Sequence, residues 1–301
     1  MRWRTLPIIA FDTETTGLNP EDGHRVIEFA GVEMHLGPDG TVDKVIPHHF
    51  MFKPTTATGE VMPIPREASD VSGIKDEDVA HAPLFKEHAQ AIHRLLSRAI
   101  TVAHNYPFDQ RFLTAEFDRC GLKWCAPPAE IDTVDLSRRF FPEAKSHKLG
   151  ELSARLEVAL IGAHRATNDA EACGRCFGLL AKRHDAPDDL AGLIEWADAV
   201  GEPPKGDVLV RSADGTVVFK GGELDGRAIE QHPDYLAWML IARRQEAAPG
   251  ADHGKWGLTY PADVRSWIAR WLRVRGSGRA AQGMKGFGPN DWGIDAPLGA
   301  A

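Results

Sequence analysis

Cysteine and long apolar runs are both scarce in this chain, and each shortage excludes a class of protein. Four cysteines in 301 residues are too few for the disulfide framework of a small secreted domain. No apolar run approaches the ~20 residues that cross a bilayer. Residues 1–4 lead directly into an apolar strand pattern, without the features of a signal peptide. We therefore expect a cytoplasmic protein with no membrane partner.

Positive charge is also in short supply. The chain has 35 Lys and Arg residues against 43 Asp and Glu residues, which gives a formal net charge of -8. This balance excludes a broadly basic surface for nucleic acid, although a local groove stays compatible with it because several acids can be used to bind metal. Hydrophobic residues make up 43% of the chain, which is typical of a globular protein.

The cysteines could form a zinc site only if two pairs came together. The pairs are Cys120 with Cys125 and Cys173 with Cys176. The second pair falls within a predicted helix, where a buried reduced cysteine is common, and no zinc-ribbon turn flanks either pair. We expect reduced cysteines and keep a shared zinc site as the alternative.

Apolar periodicity predicts strands early in the chain and helices later. The predicted strands are 6–10, 26–36, 42–52 and 100–103, and the predicted helices are 85–98, 108–120, 131–141, 149–156 and 167–183. Thr167 or Asn168 is the expected N-cap of the last helix, and residues 71–79 are expected to form a loop. Strands followed by helices favour an α/β fold in which helices cover a mixed sheet.

The composition changes near residue 185 and predicts a second, smaller unit. We place the first domain at residues 1–184, a linker with one helix at 185–206, and a small α+β module with a flexible tail at 207–301. In that module a hairpin is expected at 208–219, because Gly215 lies between two apolar runs. The apolar stripe of a helix at 262–274 is expected to be core or a partner contact rather than a platform on which bases stack.

Two acids follow the first predicted strand. Asp12 and Glu14 are two residues apart, so strand alternation places them on one face, and Gly17 lets the chain turn away. Adjacent carboxylates repel each other unless a cation lies between them. A divalent metal with oxygen ligands, Mg²⁺ or Mn²⁺, suits such a pair. The alternative is an ordinary solvated acidic pair at a strand end.

Two further acids lie where helices begin. Asp109 follows His104 and Asn105 at the start of one predicted helix, and Asp169 follows His164 at the start of another. Taken singly, each acid is more typical of a residue that caps a helix or interacts with its dipole, and His164 of a solvated loop histidine.

Taken together, Asp12-x-Glu14, Asp109 and His164-x4-Asp169 resemble the three motifs of the DnaQ-like, DEDDh-type 3'→5' exonucleases. The resemblance covers about residues 5–184. It implies a ribonuclease H-like fold, in which helices flank a mixed five-stranded sheet. Residues 219–239 are loosely similar to an accessory module that follows some exonuclease X-type proteins.

The resemblance also implies roles for the five residues. Asp12 would bridge two metal ions, Glu14 and Asp169 would complete the site that activates water, and Asp109 would support the second ion. His164 would be the general base, because an imidazole titrates near neutral pH. Two metal ions about 3.5–4 Å apart can activate the attacking water and stabilise the leaving oxygen.

Contacts to the end of the substrate are implied in the same way. The backbone near Thr15 and Thr16 would meet the terminal 3'-OH, and Leu18 and Phe108 would wedge against or stack on the last bases. Stacking tolerates any sequence. Core packing is an equal alternative for Phe108. The expected substrate contacts are Thr15, Thr16, Gly17, Leu18, His104, Asn105 and Phe108.

We therefore expect a metal-dependent 3'→5' exonuclease that releases nucleoside 5'-monophosphates from DNA in proofreading or repair. Its expected partners are single-stranded or frayed DNA 3' ends and a DNA polymerase or repair complex. One alternative is a 3'→5' exoribonuclease of the RNase T or oligoribonuclease type. The other is a non-catalytic module that binds nucleic acid.

Overall fold

The chain forms two compact units, residues 1–197 and 198–301. In this computed structural model the described residues are 1–37, 41–160, 166–198, 203, 208–237, 239, 264, 267, 268, 271 and 272. Among these residues, no helix is both long and apolar enough to cross a bilayer.

A mixed sheet of five strands forms the centre of the first unit. The strands are β1 (Ile8–Thr15), β2 (Val26–Leu36), β3 (Val42–Met51), β4 (Ile100–Ala103) and β5 (Ala129–Asp132). They lie in the order β3-β2-β1-β4-β5. The pairs β1–β2 and β2–β3 are antiparallel, whereas β1–β4 and β4–β5 are parallel. The predicted mixed five-stranded sheet is confirmed.

Helices cover both faces of this sheet. They are α1 (Arg66–Ser72), α2 (Asp76–Val79), α3 (Phe85–Ser97), α4 (Tyr106–Arg119), α5 (Thr133–Phe140), α6 (Leu149–Leu156), α7 (Ala166–Arg183) and α8 (Leu190–Asp198). The alternation of β1 separates two cores: Ile8 and Ala10 pack with α7, whereas Ile9 and Phe11 pack with α3 and α4. The central strand is therefore buried on both faces, and its end lies between helices that approach from opposite sides.

The predicted helix at 131–141 is partly wrong. Residues 129–132 form β5, and α5 begins only at Thr133. The Asp132 side chain marks the change, because it accepts the Val134 N–H at 2.9 Å and caps the helix. A strand of four residues is too short to show a period of its own.

Two further predictions of local structure are corrected. The expected loop at 71–79 contains the end of α1 and all of α2. Helix α7 begins at Ala166, so Thr167 and Asn168 lie inside its first turn, and the predicted capping role is wrong.

The cysteines do not share a zinc site. Cys173 and Cys176 lie in the core beneath α7, whereas Cys120 and Cys125 pack with the core on the α3 and α4 side. Because the sheet separates the two pairs, the alternative of a common metal site is wrong, and all four are free cysteines.

The first unit extends beyond the predicted boundary at 184. The Trp3 indole donates to the Pro187 carbonyl at 2.6 Å, and the Trp196 indole donates to the His184 carbonyl at 3.0 Å. Residues 185–197, which the sequence assigns to a linker with a helix, therefore pack against the first unit. Most of the remaining linker lies outside the described residues.

The second unit contains the predicted hairpin. Its strands are β6 (Leu209–Arg211) and β7 (Val217–Phe219), which pair antiparallel. The turn needs glycine because Gly215 has a φ of 88°. The stripe predicted to be core is buried there, as Val264, Trp267, Ile268 and Trp271. The predicted tail lies outside the described residues.

Gly174→Ala should destabilise the first unit. A methyl group at Gly174 would lie 2.8 Å from the Ala10 Cβ and 2.6 Å from the Met34 sulfur. Such overpacking costs about 1–3 kcal/mol, more than the roughly 1 kcal/mol that alanine gains over glycine within a helix. Urea denaturation measures the difference. Gly150→Ala is the control, because its new Cβ would meet only the Leu160 Cδ2, at 4.0 Å. Equal stability of Gly174→Ala and wild type would contradict this close packing.

Candidate active site

The end of β1 carries two of the predicted acids. Asp12 lies opposite Ala30 and Glu14 lies opposite Glu28 in the antiparallel pairing with β2. Ile8, Ala10, Asp12 and Glu14 are spaced two residues apart along β1, so both acids point to the same face as Ile8 and Ala10, which is the face that α7 covers. Strand geometry therefore brings the two carboxylates together, as the sequence predicts.

Asp109 reaches the same place from the other face. It lies in the first turn of α4 and is only 2% exposed. Its Oδ1 accepts two hydrogen bonds from Thr13, from the backbone N–H at 2.9 Å and from the hydroxyl at 2.7 Å. Because Thr13 lies between Asp12 and Glu14, these bonds fix the third acid to the strand that carries the first two.

Asp169 comes from the helix on the first face. It lies in the first turn of α7, whose residues Ala170 and Cys173 pack in the same core as Ala10. The charge of Asp169 helps to raise the pKa values of Asp12 and Glu14, which places it near both. The structure thus brings all four predicted acids together at one end of the sheet.

Burial and mutual repulsion dominate the electrostatics of this cluster. Burial raises the pKa of Asp12 well above its usual range, and Asp109, Glu14 and Asp169 raise it further. Burial also raises the pKa of Glu14 to about 8, again with a contribution from neighbouring carboxylates. For Asp109, burial raises the pKa although its hydrogen bonds from Thr13 oppose the shift. The site therefore holds more negative charge than its environment stabilises.

Glu28 is a fifth acid, which the sequence analysis missed. It lies opposite Glu14, it is 6% exposed, and it is the largest charge contribution to the raised pKa of Glu14. The ring of His49 hydrogen-bonds its carboxylate through Nε2. The available signal was an acid inside the apolar run of β2, because an ionised side chain is rarely buried without a partner.

The four predicted acids fit a divalent metal in their chemistry. Carboxylate oxygens are the ligands that Mg²⁺ and Mn²⁺ prefer. A cation would offset the burial and the mutual repulsion that together raise the pKa values of Asp12 and Glu14. Within the described ranges, however, no three His, Cys, Asp or Glu side chains are grouped closely enough to hold a metal ion as they stand. The metal-ligand roles therefore stay predictions.

The loop after Glu14 is shaped by its own hydroxyl groups. The Thr15 hydroxyl donates to the Gly17 carbonyl at 2.6 Å, and the Thr16 Oγ1 lies 3.2 Å from the His24 Nδ1. A Cβ at Gly17 would lie 2.4 Å from the His24 ring. The need for glycine therefore comes from this ring, and Gly17 is not among the positive-φ residues. Leu18, the next residue of this loop, is 61% exposed.

The expected substrate contacts near the start of α4 differ in their exposure and in their contacts. The His104 Nδ1 lies 2.9 Å from the Thr133 hydroxyl, and burial lowers the His104 pKa to about 4, so the ring is neutral and held internally. Asn105 is exposed, with a φ of 70°. The Phe108 ring packs 5.1 Å from that of Phe112, which favours the core alternative. His164 lies outside the described residues.

Comparison with known proteins connects this geometry to one family. The model of the exonuclease family matches residues 9–177. The DNA polymerase III subunit epsilon of Rickettsia prowazekii is 32% identical over 200 residues, which cover 62% of this chain and 81% of that protein. The PolC-type DNA polymerase III of Streptococcus sanguinis is 33% identical over 176 residues, 58% of this chain. The match spans only 11% of that polymerase.

A solved structure shares the fold. Exonuclease I of E. coli in complex with a dT13 oligonucleotide aligns with a TM-score of 0.50 at 20% identity, covering 60% of this chain and 42% of that chain. The ribonuclease H-like arrangement that the sequence resemblance predicts is thereby confirmed.

Glu14→Gln should stabilise the metal-free protein at high pH. Burial raises the folded-state pKa of Glu14 from 4.5 to about 8. The contribution of protonated Glu14 to the free energy of unfolding is therefore complete below pH 4.5 and is lost as the pH rises through 8. The variant should match wild type at low pH and should have a free energy of unfolding roughly 3–5 kcal/mol higher at pH 8, since each pKa unit of the shift corresponds to about 1.4 kcal/mol. Urea denaturation in EDTA measures both proteins. A difference that is constant with pH would contradict the raised pKa.

Proposed function

This chain belongs to the exonuclease family, and we propose that it is a metal-dependent 3'→5' exonuclease that releases nucleoside 5'-monophosphates from DNA ends. The observation that carries the proposal is the convergence of Asp12, Glu14, Asp109 and Asp169 at the end of β1. Hydrolysis of a phosphodiester needs a nucleophile beside an anionic phosphate. A cluster of ionised acids would repel that phosphate, and bound cations would offset the repulsion and help to activate the attacking water.

Asp12, Glu14, Asp109 and Asp169 would hold Mg²⁺ or Mn²⁺. When bound, such ions would act as Lewis acids toward the phosphate oxygens and would lower the pKa of an attacking water. The protein keeps the acids in place, because Asp12 and Glu14 belong to a buried strand and Thr13 fixes Asp109 from the opposite face. We assign the role of general base to His164, which would take the proton from the attacking water.

The loop at residues 15–18 is the proposed binding site of the terminal nucleotide. It follows directly after Glu14, and the internal hydrogen bond of Thr15 fixes its shape. Leu18 is the exposed apolar side chain of this loop, suited to contact a base or sugar without sequence preference. Asn105 is accessible at the start of α4 and could contact the same nucleotide.

DNA is the proposed substrate because one relative, of which the match covers 81%, is by name a subunit of a DNA polymerase. On the same support we propose that the protein works with a DNA polymerase or a repair complex, on single-stranded or frayed 3' ends. The 3'→5' exoribonuclease is the competing enzyme, and it would share every carboxylate.

Digestion of labelled oligonucleotides tests the proposed function. Wild type with Mg²⁺ should shorten a 5'-labelled DNA strand stepwise from its 3' end and should cut matched RNA more slowly. Asp12→Asn should lower kcat at least about 1000-fold, because the acid at the centre of the cluster no longer carries charge. Faster cutting of RNA would favour the exoribonuclease. If Asp12→Asn digests DNA as wild type does, or wild type digests neither polymer, the proposal is wrong.

His164→Ala should separate proton transfer from metal binding. If His164 is the general base, turnover should fall about 100- to 10,000-fold, the range for loss of such a group. The Mg²⁺ concentration for half-maximal activity should change little, as measured by metal titration of the initial rate. A large loss of metal affinity would instead reassign His164 as a ligand.

A further inference from the structure

The loop between β1 and β2 is closed at its base by hydrogen bonds. The Thr16 N–H donates to the Arg25 carbonyl, and the Arg25 N–H donates to the Thr16 hydroxyl oxygen, both at 2.9 Å. These bonds join the two ends of the segment 16–25, which we name the β1–β2 loop. The segment begins two residues after Glu14 and carries the exposed Leu18, so its placement decides what lies beside the carboxylates.

The Arg25 side chain attaches this loop to α4. Its Nε donates to the Glu116 Oε1 at 2.6 Å, and its Nη2 donates to the Glu116 Oε2 at 2.7 Å. Its Nη1 donates to the Thr55 carbonyl, so one guanidinium binds two other parts of the chain. Glu116 is 1% exposed and the Arg25 side chain 13%. The ion pair is therefore buried, with the two-pronged geometry that only arginine provides.

A second arginine strengthens the same attachment. The Arg119 Nη1 lies 3.3 Å from the Glu116 Oε1, and the Arg119 Nη2 donates to the Pro20 carbonyl at 3.3 Å. Pro20 belongs to the middle of the β1–β2 loop. The last turns of α4 therefore hold this loop at two points, at Pro20 and at Arg25.

The first turn of the same helix holds the strand that carries the acids. Asp109 lies about two turns before Glu116 and accepts both hydrogen bonds from Thr13. One rigid helix thus binds β1 between Asp12 and Glu14 and binds the loop that follows them. A displacement of the loop relative to the carboxylates would have to break one of these attachments.

We propose that Arg25 and Glu116 are positioning residues that hold the β1–β2 loop in register with the carboxylates of the active site. The inference rests on the proposed function, because the loop matters to activity only if the end of a strand lies on it. A small misplacement of reacting groups can lower a rate by about 100-fold. A buried ion pair is by itself weak evidence for stability. Because this pair joins the β1–β2 loop to α4, we infer that it fixes the position of the loop.

Arg25→Lys tests the proposal, because lysine keeps the charge and loses the fork. With single-stranded DNA and Mg²⁺, we expect the KM for DNA to rise and kcat to fall, together lowering kcat/KM by roughly 10- to 100-fold. The Mg²⁺ concentration for half-maximal rate should stay within about twofold of wild type, because the acids themselves are unchanged. Glu116→Gln should behave in the same way.

Arg98→Lys is the control for the same substitution at an ion pair away from the loop. Arg98 also forms an ion pair, with Glu33 at 2.7 Å, but Glu33 pairs with Ile9 near the opposite end of β1. This variant should keep the kinetics of wild type. If folded Arg25→Lys kept the KM and kcat of wild type, the proposal would be overturned, even if the variant had a lower melting temperature.

Amide hydrogen exchange tests the attachment without any substrate. In Arg25→Lys the amides of residues 16–25 should exchange faster than in wild type, while those of the β2–β3 ladder should be unchanged. If wild type proved inactive on DNA, the proposed function would fail and this measurement would still test the attachment. Unchanged exchange in the loop would overturn it.

Discussion

Repulsion between buried carboxylates is the constraint on which the rest of this structure depends. Asp12, Glu14, Asp109 and Asp169 converge at the end of β1, and Glu28 lies opposite Glu14. Left to themselves, such groups would separate or bind protons. They stay together because the surrounding structure anchors each of them. The strand β1 is buried on both faces, and α4 and α7 carry Asp109 and Asp169 in their first turns. The two hydrophobic cores thus stabilise an arrangement that electrostatics opposes.

Each of these anchors depends on contacts that particular residues make. Asp109 is fixed by its two hydrogen bonds to Thr13, a bond pattern that also lowers the energy of the ionised carboxylate. Asp169 depends on the close approach of α7 to the sheet, which the missing side chain of Gly174 permits. Arg25 and Glu116 carry the same rigidity to the loop beyond the acids. The precision of the site is therefore distributed over elements far apart in sequence.

Much of this could be predicted from the sequence, and the failures have physical causes. Alternation was enough to place Asp12 and Glu14 on one face, because that geometry is local. Glu28 was missed because its position opposite Glu14 depends on the register of β1 and β2 across an intervening loop. The shared zinc site was wrong because periodicity does not say which side of a sheet a helix covers. The role of Gly17 depends on His24, seven residues later, which contacts it only after the loop folds.

The same repulsion links folding to chemistry. Below the raised pKa of a carboxylate such as Glu14, a proton relieves the cluster. Above it, the folded state keeps a negative charge that the unfolded chain would expose to water. A cation bound among the acids would remove this cost, so part of its binding free energy would appear as added stability of the first unit. A cluster that favoured neutrality by forming internal ion pairs would be more stable alone but would attract cations less strongly. At Asp12, burial raises the pKa and the carboxylates of Asp109, Glu14, Asp169 and Glu28 raise it further, so a cation bound there would offset the charge of all these neighbours at once.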